Sequence, residues 1–262
     1  MTGRGRARPV LPATISESDG VRYLHLDSPW IQGAMRIADP KAIELEYVQR
    51  MMAWMLLRPV EQLTDGRAVQ LGLGAAAITR FCHGVLRMQT TAVELNPTVI
   101  EACRLWFRLP APSARFEMLE MDADAYVSDP ALRRTASVLC VDLYDHEAAS
   151  PVLDSARFYR DCAALLVDYG VMAVNLFGRD ASFDTSAARI ATAFGAERVR
   201  SLRPTKEGNT IVLALKSGTI PDRPTLAARA ENIETRFGLP AAKWLRMLRT
   251  LPPPPLTHFV PA

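Results

Sequence analysis

The chain has 262 residues, of which 49% are hydrophobic and 23% are charged. This composition excludes wholesale disorder and predicts one large α/β domain or two small ones. The net charge of +3 is too balanced to indicate nucleic acid as a partner.

The sequence also argues against a membrane or a metal as a partner. The longest strongly apolar run, residues 51–57, is far shorter than the roughly 20 residues that a bilayer span needs. The basic N-terminus has no apolar stretch behind it, so no secretory signal is predicted. The cysteines at 82, 103, 140 and 162 stand singly, which disfavours a zinc site or a disulfide framework. We therefore expect a cytoplasmic protein without a metal.

The first part of the chain predicts a small β-rich region and a helix. Residues 1–20 are polar and typical of a flexible leader. The β-prone runs 21–26 and 30–37 flank Asp-Ser-Pro, which favours a turn and hence a hairpin. Apolar residues at helical spacing over 40–57 predict a linking helix, so that 21–57 forms an N-terminal region.

Strand and helix patterns then alternate over residues 58–218. The predicted strands are 68–73, 88–95, 115–121, 137–143, 170–177 and 209–216. The predicted helices between them are 75–85, 97–108, 153–167 and 185–195. Repeated β-α-β alternation predicts an α/β fold with a mostly parallel, doubly wound sheet and helices on both faces.

The tail, residues 219–262, changes character. The stretches 226–237 and 241–250 are amphipathic and predict two helices, and the prolines at 252–255 force an extended end. We expect these helices to pack back on the main domain, with binding of a partner as the alternative.

The first motif of chemical interest is Val-Gln-Leu-Gly-Leu-Gly-Ala-Ala-Ala at 69–77, where a strand meets a helix. Gly72 and Gly74 let the backbone turn tightly and approach a ligand. Glu94, which ends the second strand, is placed to accept ribose hydroxyls, so the pattern indicates a nucleoside. The alternative is a structural turn and a surface acid. Asp122, after the third strand, fits either an adenine contact or a helix N-cap.

The second motif is Val-Asp-Leu-Tyr-Asp-His-Glu at 141–147. Asp142 ends the fourth strand, where ligands of open α/β sheets gather, and Asp145 follows closely. Crowded acids favour a cationic ligand such as a polyamine or a sulfonium cofactor. A carboxylate here can also accept the proton that an attacking amine must lose. The alternative is a solvated acidic loop.

These motifs, in this order, resemble the spermidine synthase (polyamine aminopropyltransferase) family over residues 24–215. The resemblance implies a Rossmann-like class I S-adenosylmethionine-dependent methyltransferase fold with a seven-stranded sheet. It also implies transfer of an aminopropyl group from decarboxylated S-adenosylmethionine to an amine such as putrescine, without a metal. Homodimers are common in the family.

The same resemblance assigns roles to individual residues. Leu-Asp-Ser-Pro-Trp-Ile-Gln at 26–32 is similar to a family element whose glutamine, here Gln32, contacts the nucleoside cofactor. Glu94 matches the ribose acid and Asp122 the acid near the adenine. Tyr47 corresponds to a tyrosine that orients the amine, Asp142 to the catalytic base and Asp145 to a second, substrate-binding acid.

The sequence departs from the family pattern in four places. Ala75 stands where the glycine loop normally has an aspartate that holds the aminopropyl amine. Val48 replaces a glutamine, His146 replaces a proline, and the late tyrosine of the amine pocket has no clear counterpart. A methyltransferase that uses S-adenosylmethionine itself is therefore the alternative enzyme. A catalytically silent nucleoside-binding protein and a nicotinamide dehydrogenase are further alternatives.

Overall fold

The computed structural model describes residues 11–28, 30–143, 153–177 and 181–251. In these ranges the chain forms a three-stranded antiparallel sheet and an eight-stranded mixed sheet with helices on both faces. The predicted α/β fold with a mostly parallel, doubly wound sheet is confirmed.

The predicted hairpin of residues 21–26 and 30–37 is confirmed as part of a three-stranded sheet, whereas the predicted leader is wrong. Its strands are β1 (Ala13–Ser18), β2 (Val21–Leu26) and β3 (Gly33–Arg36). Most of the supposed leader beyond residue 12 is thus β1, paired antiparallel with β2 so that Ile15 faces Leu24. Asp19 and Gly20 both have positive φ, as a tight two-residue hairpin turn requires. The polar sequence of β1 concealed a strand because only alternate residues of it are partly buried.

The large sheet has the strand order β11-β9-β10-β8-β7-β4-β5-β6. Its strands are β4 (Arg67–Leu71), β5 (Gln89–Glu94), β6 (Phe116–Glu120), β7 (Ala136–Val141), β8 (Leu166–Phe177), β9 (Val199–Ser201), β10 (Asn209–Leu215) and β11 (Arg249–Thr250). Strands β4 to β8 pair in parallel, whereas β10, β9 and β11 pair antiparallel at one edge. In the described chain, the two-residue β11 adds an eighth strand to the seven that the family resemblance implied.

The helices are also close to the prediction, although most are shorter. They are α1 (Glu46–Met51), α2 (Ala77–Arg80), α3 (Pro97–Trp106), α4 (Ala123–Ser128), α5 (Ala156–Leu165), α6 (Ala181–Phe194), α7 (Arg223–Phe237) and α8 (Ala241–Met247). The linking helix predicted over 40–57 is reduced to α1, followed by a 3-10 helix at Met52–Leu57. α2 likewise continues as a π-helical turn at Phe81–Val85.

The two faces of the large sheet carry separate cores. Helices α4, α5 and α6 cover one face. On the other face, the 3-10 helix at Met52–Leu57 lies under α7 and α8, and every residue of it is buried. α3 and the N-terminal sheet form a third cluster beside β5. The predicted tail helices therefore pack on the main domain, as the fully buried Trp244 shows. None of the helices in the described ranges is both long and apolar enough to cross a membrane.

Candidate active site

The carboxyl ends of β4, β5 and β7 meet at one edge of the sheet, where the glycine loop turns from β4 into α2. Gly72 has φ +83°, and a Cβ there would lie 2.1 Å from the carbonyl oxygen of Asp142. Only glycine fits this position. In return, the Asp142 N–H donates to the carbonyl of Leu71 at 2.9 Å. The glycine loop and the end of β7 are therefore held against each other at the point where a ligand would lie.

The N-terminal sheet closes over this loop. Gly74 has φ +48°, and a Cβ on it would lie 2.9 Å from the carbonyl oxygen of Gln32. A Cβ on Gly33 would lie 2.4 Å from the backbone nitrogen of Ala75. The structure therefore places Gln32, which is partly buried, beside the predicted loop glycine Gly74.

Two buried polar side chains that the sequence analysis missed support the loop from below. Gln70 Nε2 donates to the carbonyls of Gly72 at 2.8 Å and Leu73 at 3.1 Å, and Thr79 Oγ1 donates to Gln70 Oε1 at 2.7 Å. The sequence did contain a signal for Gln70, a polar residue inside an apolar strand. Buried amides are almost always hydrogen-bonded, so such a residue predicts a partner nearby.

Arg80 joins three backbone segments behind the loop. Its guanidinium donates to the carbonyls of Pro40 and Phe107, each at 2.7 Å, and to that of Ala75. Burial lowers the pKa of Arg80 to about 10, so the side chain stays charged at neutral pH. Arg80 thus connects the glycine loop to α3 and to the segment that leads into α1.

Glu94 lies at the end of β5, as predicted, and its carboxylate binds the glycine loop. Oε2 accepts from the Leu73 N–H at 2.8 Å and Oε1 from the Asn96 N–H at 2.9 Å. Burial raises the pKa of Glu94, and these backbone donors oppose the increase. The backbone N–H groups of Leu73, Leu95 and Asn96 leave the carboxylate able to accept from one further donor, such as a hydroxyl.

Asp122 is exposed and caps α4, accepting from the Asp124 N–H at 2.7 Å. The structure thus bears out the N-cap alternative for this residue.

Asp142 and Tyr47 are brought together from positions 95 residues apart in sequence. The Tyr47 hydroxyl, on α1, donates to Asp142 Oδ2 at 3.2 Å. On the other side, Asn175 Nδ2 donates to Asp142 Oδ1 at 2.9 Å. Asn175 is buried in β8 and was missed by the sequence analysis, although it is the one polar side chain in the apolar run 170–177. Both carboxylate oxygens of Asp142 therefore have a donor.

The environment of Asp142 suits a proton acceptor. Burial raises the pKa of Asp142, and the hydrogen bonds from Asn175 and Tyr47 lower it in opposition. A carboxylate whose pKa lies above its ordinary value is closer to the range that is effective in general base catalysis.

The tail helix α8 holds the helix that carries Tyr47. Lys243 Nζ donates to Glu46 Oε1 at 2.9 Å, and Arg50 Nη2 donates to the same oxygen at 2.8 Å. These two cations lower the pKa of Glu46, with Lys243 the larger cause. Arg50 also donates to the carbonyl of Arg203 at 2.6 Å. The six-residue α1 is thus fixed from both the sheet and the tail.

A narrow cleft lies between the hairpin, the glycine loop and α1. Its lining includes Gln32, Tyr47, Val48, Ala75 and Asp142. Of the described residues along it, Asp142 alone carries a carboxylate. The substrate acid predicted at 145 lies outside the described residues. Within those residues, no group of three or more His, Cys, Asp or Glu side chains is placed to hold a metal ion.

Solved structures show the class to which this architecture belongs. A probable spermidine synthase from Corynebacterium glutamicum superposes with a TM-score of 0.69 at 18% identity, covering 87% of this chain and 85% of the other. Human methyltransferase-like protein 13, solved with SAH, gives a TM-score of 0.63 at 23% identity, covering 83% and 98%. The predicted Rossmann-like class I methyltransferase fold is confirmed.

Curated relatives then identify the family. A polyamine aminopropyltransferase of Chromobacterium violaceum is 31% identical over 252 residues, covering 94% of both chains. One from Neisseria meningitidis serogroup A is 30% identical over 250 residues, covering 94% of this chain and 92% of the relative. No family model matches the chain. With this identity over nearly its whole length, the chain belongs to the polyamine aminopropyltransferase family, as the sequence motifs predicted.

Proposed function

We propose that the chain transfers an aminopropyl group from decarboxylated S-adenosylmethionine to a polyamine such as putrescine. The observation that carries the proposal is the Asp142 carboxylate, held between Tyr47 and Asn175 beside the glycine loop. A sulfonium is already an activated leaving group, so the protein has only to align the reactants and to accept a proton.

In the proposed reaction, the neutral amine nitrogen attacks the methylene carbon attached to the sulfonium. A C–N bond forms as the C–S bond breaks, and the bonding electron pair stays on sulfur in methylthioadenosine. Asp142 accepts the proton that the new secondary ammonium loses. Tyr47 and Asn175 hold both oxygens of the base in place. Glu94, Gln32, Gly72 and Gly74 would hold the nucleoside, and Asp122 its adenine.

Partner and location are further parts of the proposal. We place the reaction in the cytoplasm, where thiols stay reduced, because all four cysteines are buried and free. Asp145 would bind the distal amine of the acceptor, and two copies of the chain would associate, as the resemblance implies.

The alternative is a methyltransferase that uses S-adenosylmethionine itself. It is favoured by Ala75, because the described cleft has no acid at the glycine loop for an aminopropyl ammonium. The chain's family membership favours aminopropyl transfer over this alternative.

The test offers the purified chain both cofactor forms, with and without putrescine. Calorimetric titration measures binding, and chromatography measures the nucleoside product. We expect tighter binding of the decarboxylated form and putrescine-dependent release of methylthioadenosine. Preference for S-adenosylmethionine, with release of S-adenosylhomocysteine, would overturn the proposal.

A further inference from the structure

We propose that Asn209 is a positioning residue for the reaction: its side-chain N–H group holds the amide oxygen of Asn175 and so keeps the nitrogen of that amide on Asp142. The inference rests on the proposed function, in which Asp142 is the base. It concerns three neighbouring strands, β7, β8 and β10, whose polar residues lie in one row.

Strand register explains why these residues meet. Val141 pairs with Val174 in the parallel β7–β8 ladder, which brings Asp142 opposite Asn175. In the antiparallel β8–β10 ladder, Asn175 pairs with Ile211, so Asn209 is its diagonal neighbour on the same face. Asn209 Nδ2 donates to Asn175 Oδ1 at 3.2 Å. The hydrogen bonds therefore run across the sheet from β10 to the carboxylate.

Donor and acceptor chemistry determines how the amides of Asn175 and Asn209 are oriented. An ionised carboxylate only accepts, so the Asn175 atom that faces Asp142 must be the amide nitrogen. The Asn175 oxygen then faces Asn209, which must present its own nitrogen. An amide turned the other way would place an oxygen against the carboxylate. Asn209 is thus the group that disfavours the wrong orientation of Asn175.

Asn209 is itself fixed by the turn that precedes β10. Its backbone N–H donates to Thr205 Oγ1 at 3.2 Å, and the Thr205 N–H donates to the Asn209 carbonyl at 2.8 Å. The Thr205 hydroxyl, which accepts from that backbone N–H, also lies 3.5 Å from Asn209 Oδ1, at the outer limit of a hydrogen bond. Gly208 closes the turn by donating to the Thr205 carbonyl at 3.2 Å. Asn209 therefore enters β10 with its side chain already oriented.

The other described groups near Asp142 do not hold the carboxylate oxygen that Asn175 contacts. Tyr47 on α1 faces the second carboxylate oxygen, and the Cys140 thiol lies two residues earlier on β7. Burial raises the pKa of Cys140 far above its ordinary value, with smaller effects of Cys82 and Asp142, so this thiol is neutral. Asp145, His146 and Glu147 lie outside the described residues.

The test compares Asn209→Ala with Thr210→Ser, a change at the next residue of β10, whose side chain points to the opposite face. Carbon-13 NMR titration of labelled aspartate follows the Asp142 carboxyl, which Asp142→Asn assigns. In Asn209→Ala we expect the pKa of Asp142 to rise, because Asn175 can then turn away. The same variant should lower kcat by about threefold to tenfold, the loss expected for one orienting hydrogen bond, with KM for the amine little changed.

Thr205→Val should move the Asp142 titration in the same direction by less, and it decides the question if Asn209→Ala does not fold. An Asp142 titration unchanged in the folded Asn209 variant, or shifted equally in Thr210→Ser, would overturn the inference. A wild-type chain that forms no methylthioadenosine would instead overturn the proposed function. The carboxyl titration would still show whether Asn209 positions Asp142.

Discussion

Asp142→Asn separates the proposed chemistry from the fold. Asparagine has the same shape, and its oxygen can still accept from Asn175 at the position where the carboxylate does so at 2.9 Å. The Tyr47 hydroxyl, 3.2 Å away, can turn to accept from the new amide. The variant therefore keeps both contacts and loses only the ability to take up a proton.

The expected loss is that of a general base. Such groups contribute a factor of about 10² to 10⁴ in rate, which corresponds to about 3–5 kcal/mol in the activation barrier. The assay measures kcat from methylthioadenosine release with saturating decarboxylated cofactor and putrescine. Affinity for methylthioadenosine, measured by calorimetry, should stay within about threefold, since the nucleoside contacts are unchanged.

Whereas Asp142→Asn should lower kcat, it should not lower the stability of the folded chain. Because burial raises the pKa of Asp142, the folded chain binds more protons than the unfolded chain at pH values between the two pKa values. The free energy of unfolding therefore falls as the pH rises through this window, and the cost persists above it. Asp142→Asn removes that cost, so its thermal midpoint at pH 7 should equal or exceed that of the wild type.

The matched control is Asp168→Asn, at an exposed aspartate paired with Arg134 on the surface. Its kcat should equal that of the wild type, because Asp168 lies outside the cleft. The reasoning is refuted if Asp142→Asn retains kcat within tenfold of the wild type. A clear fall in its thermal midpoint would contradict the stability argument alone.

Three further changes test the surroundings of the base. Tyr47→Phe removes the donor to Asp142 Oδ2 and so raises the pKa of Asp142, which should shift the acid limb of the kcat–pH profile to higher pH; an unmoved limb would contradict the contact. Gly72→Ala forces a Cβ to within 2.1 Å of a carbonyl oxygen at φ +83° and should lower the thermal midpoint by at least about 3 °C, whereas Gly84→Ala, with open space around it, should not. Glu94→Gln turns an acceptor of a backbone N–H into a donor and should weaken methylthioadenosine binding in calorimetry about tenfold or more; unchanged affinity would contradict a nucleoside role.

The sequence predicted those parts of the fold in which a single local pattern determines whether a segment forms a strand or a helix. The parallel strands are short apolar runs buried on both faces, so their composition is sufficient. Gly72, Glu94 and Asp142 were predicted as site residues from their places at the strand ends, where ligands of such sheets bind, and the structure places them at that edge. Strand β1 was missed because its burial depends on pairing with β2 and on packing near α3, where the Ala13 N–H donates to Thr98.

The residues of the site that were missed are polar side chains inside apolar strands. Gln70 and Asn175 interrupt runs that otherwise indicate only a buried strand, and Asn209 begins such a run. Asn175 contacts residues of two other strands, and Gln70 also contacts Thr79 on α2, so local spacing alone does not show these partners. Each is explained once the register is known, since a buried amide without partners costs about 1–3 kcal/mol.

The tail contributes to the site although it lies far from the strand ends. Tyr47 reaches Asp142 only if α1 keeps its place, and α1 has just six residues. Lys243 binds Glu46 at the start of α1, and Arg229 donates to the carbonyl of Leu56 at 3.1 Å in the 3-10 helix that follows. A chain that ended at residue 218 would keep the glycine loop and Asp142 but lose these two supports. In the proposed reaction the tail helices therefore support the base together with the sheet, and we expect a change at Lys243 to act through the orientation of Tyr47.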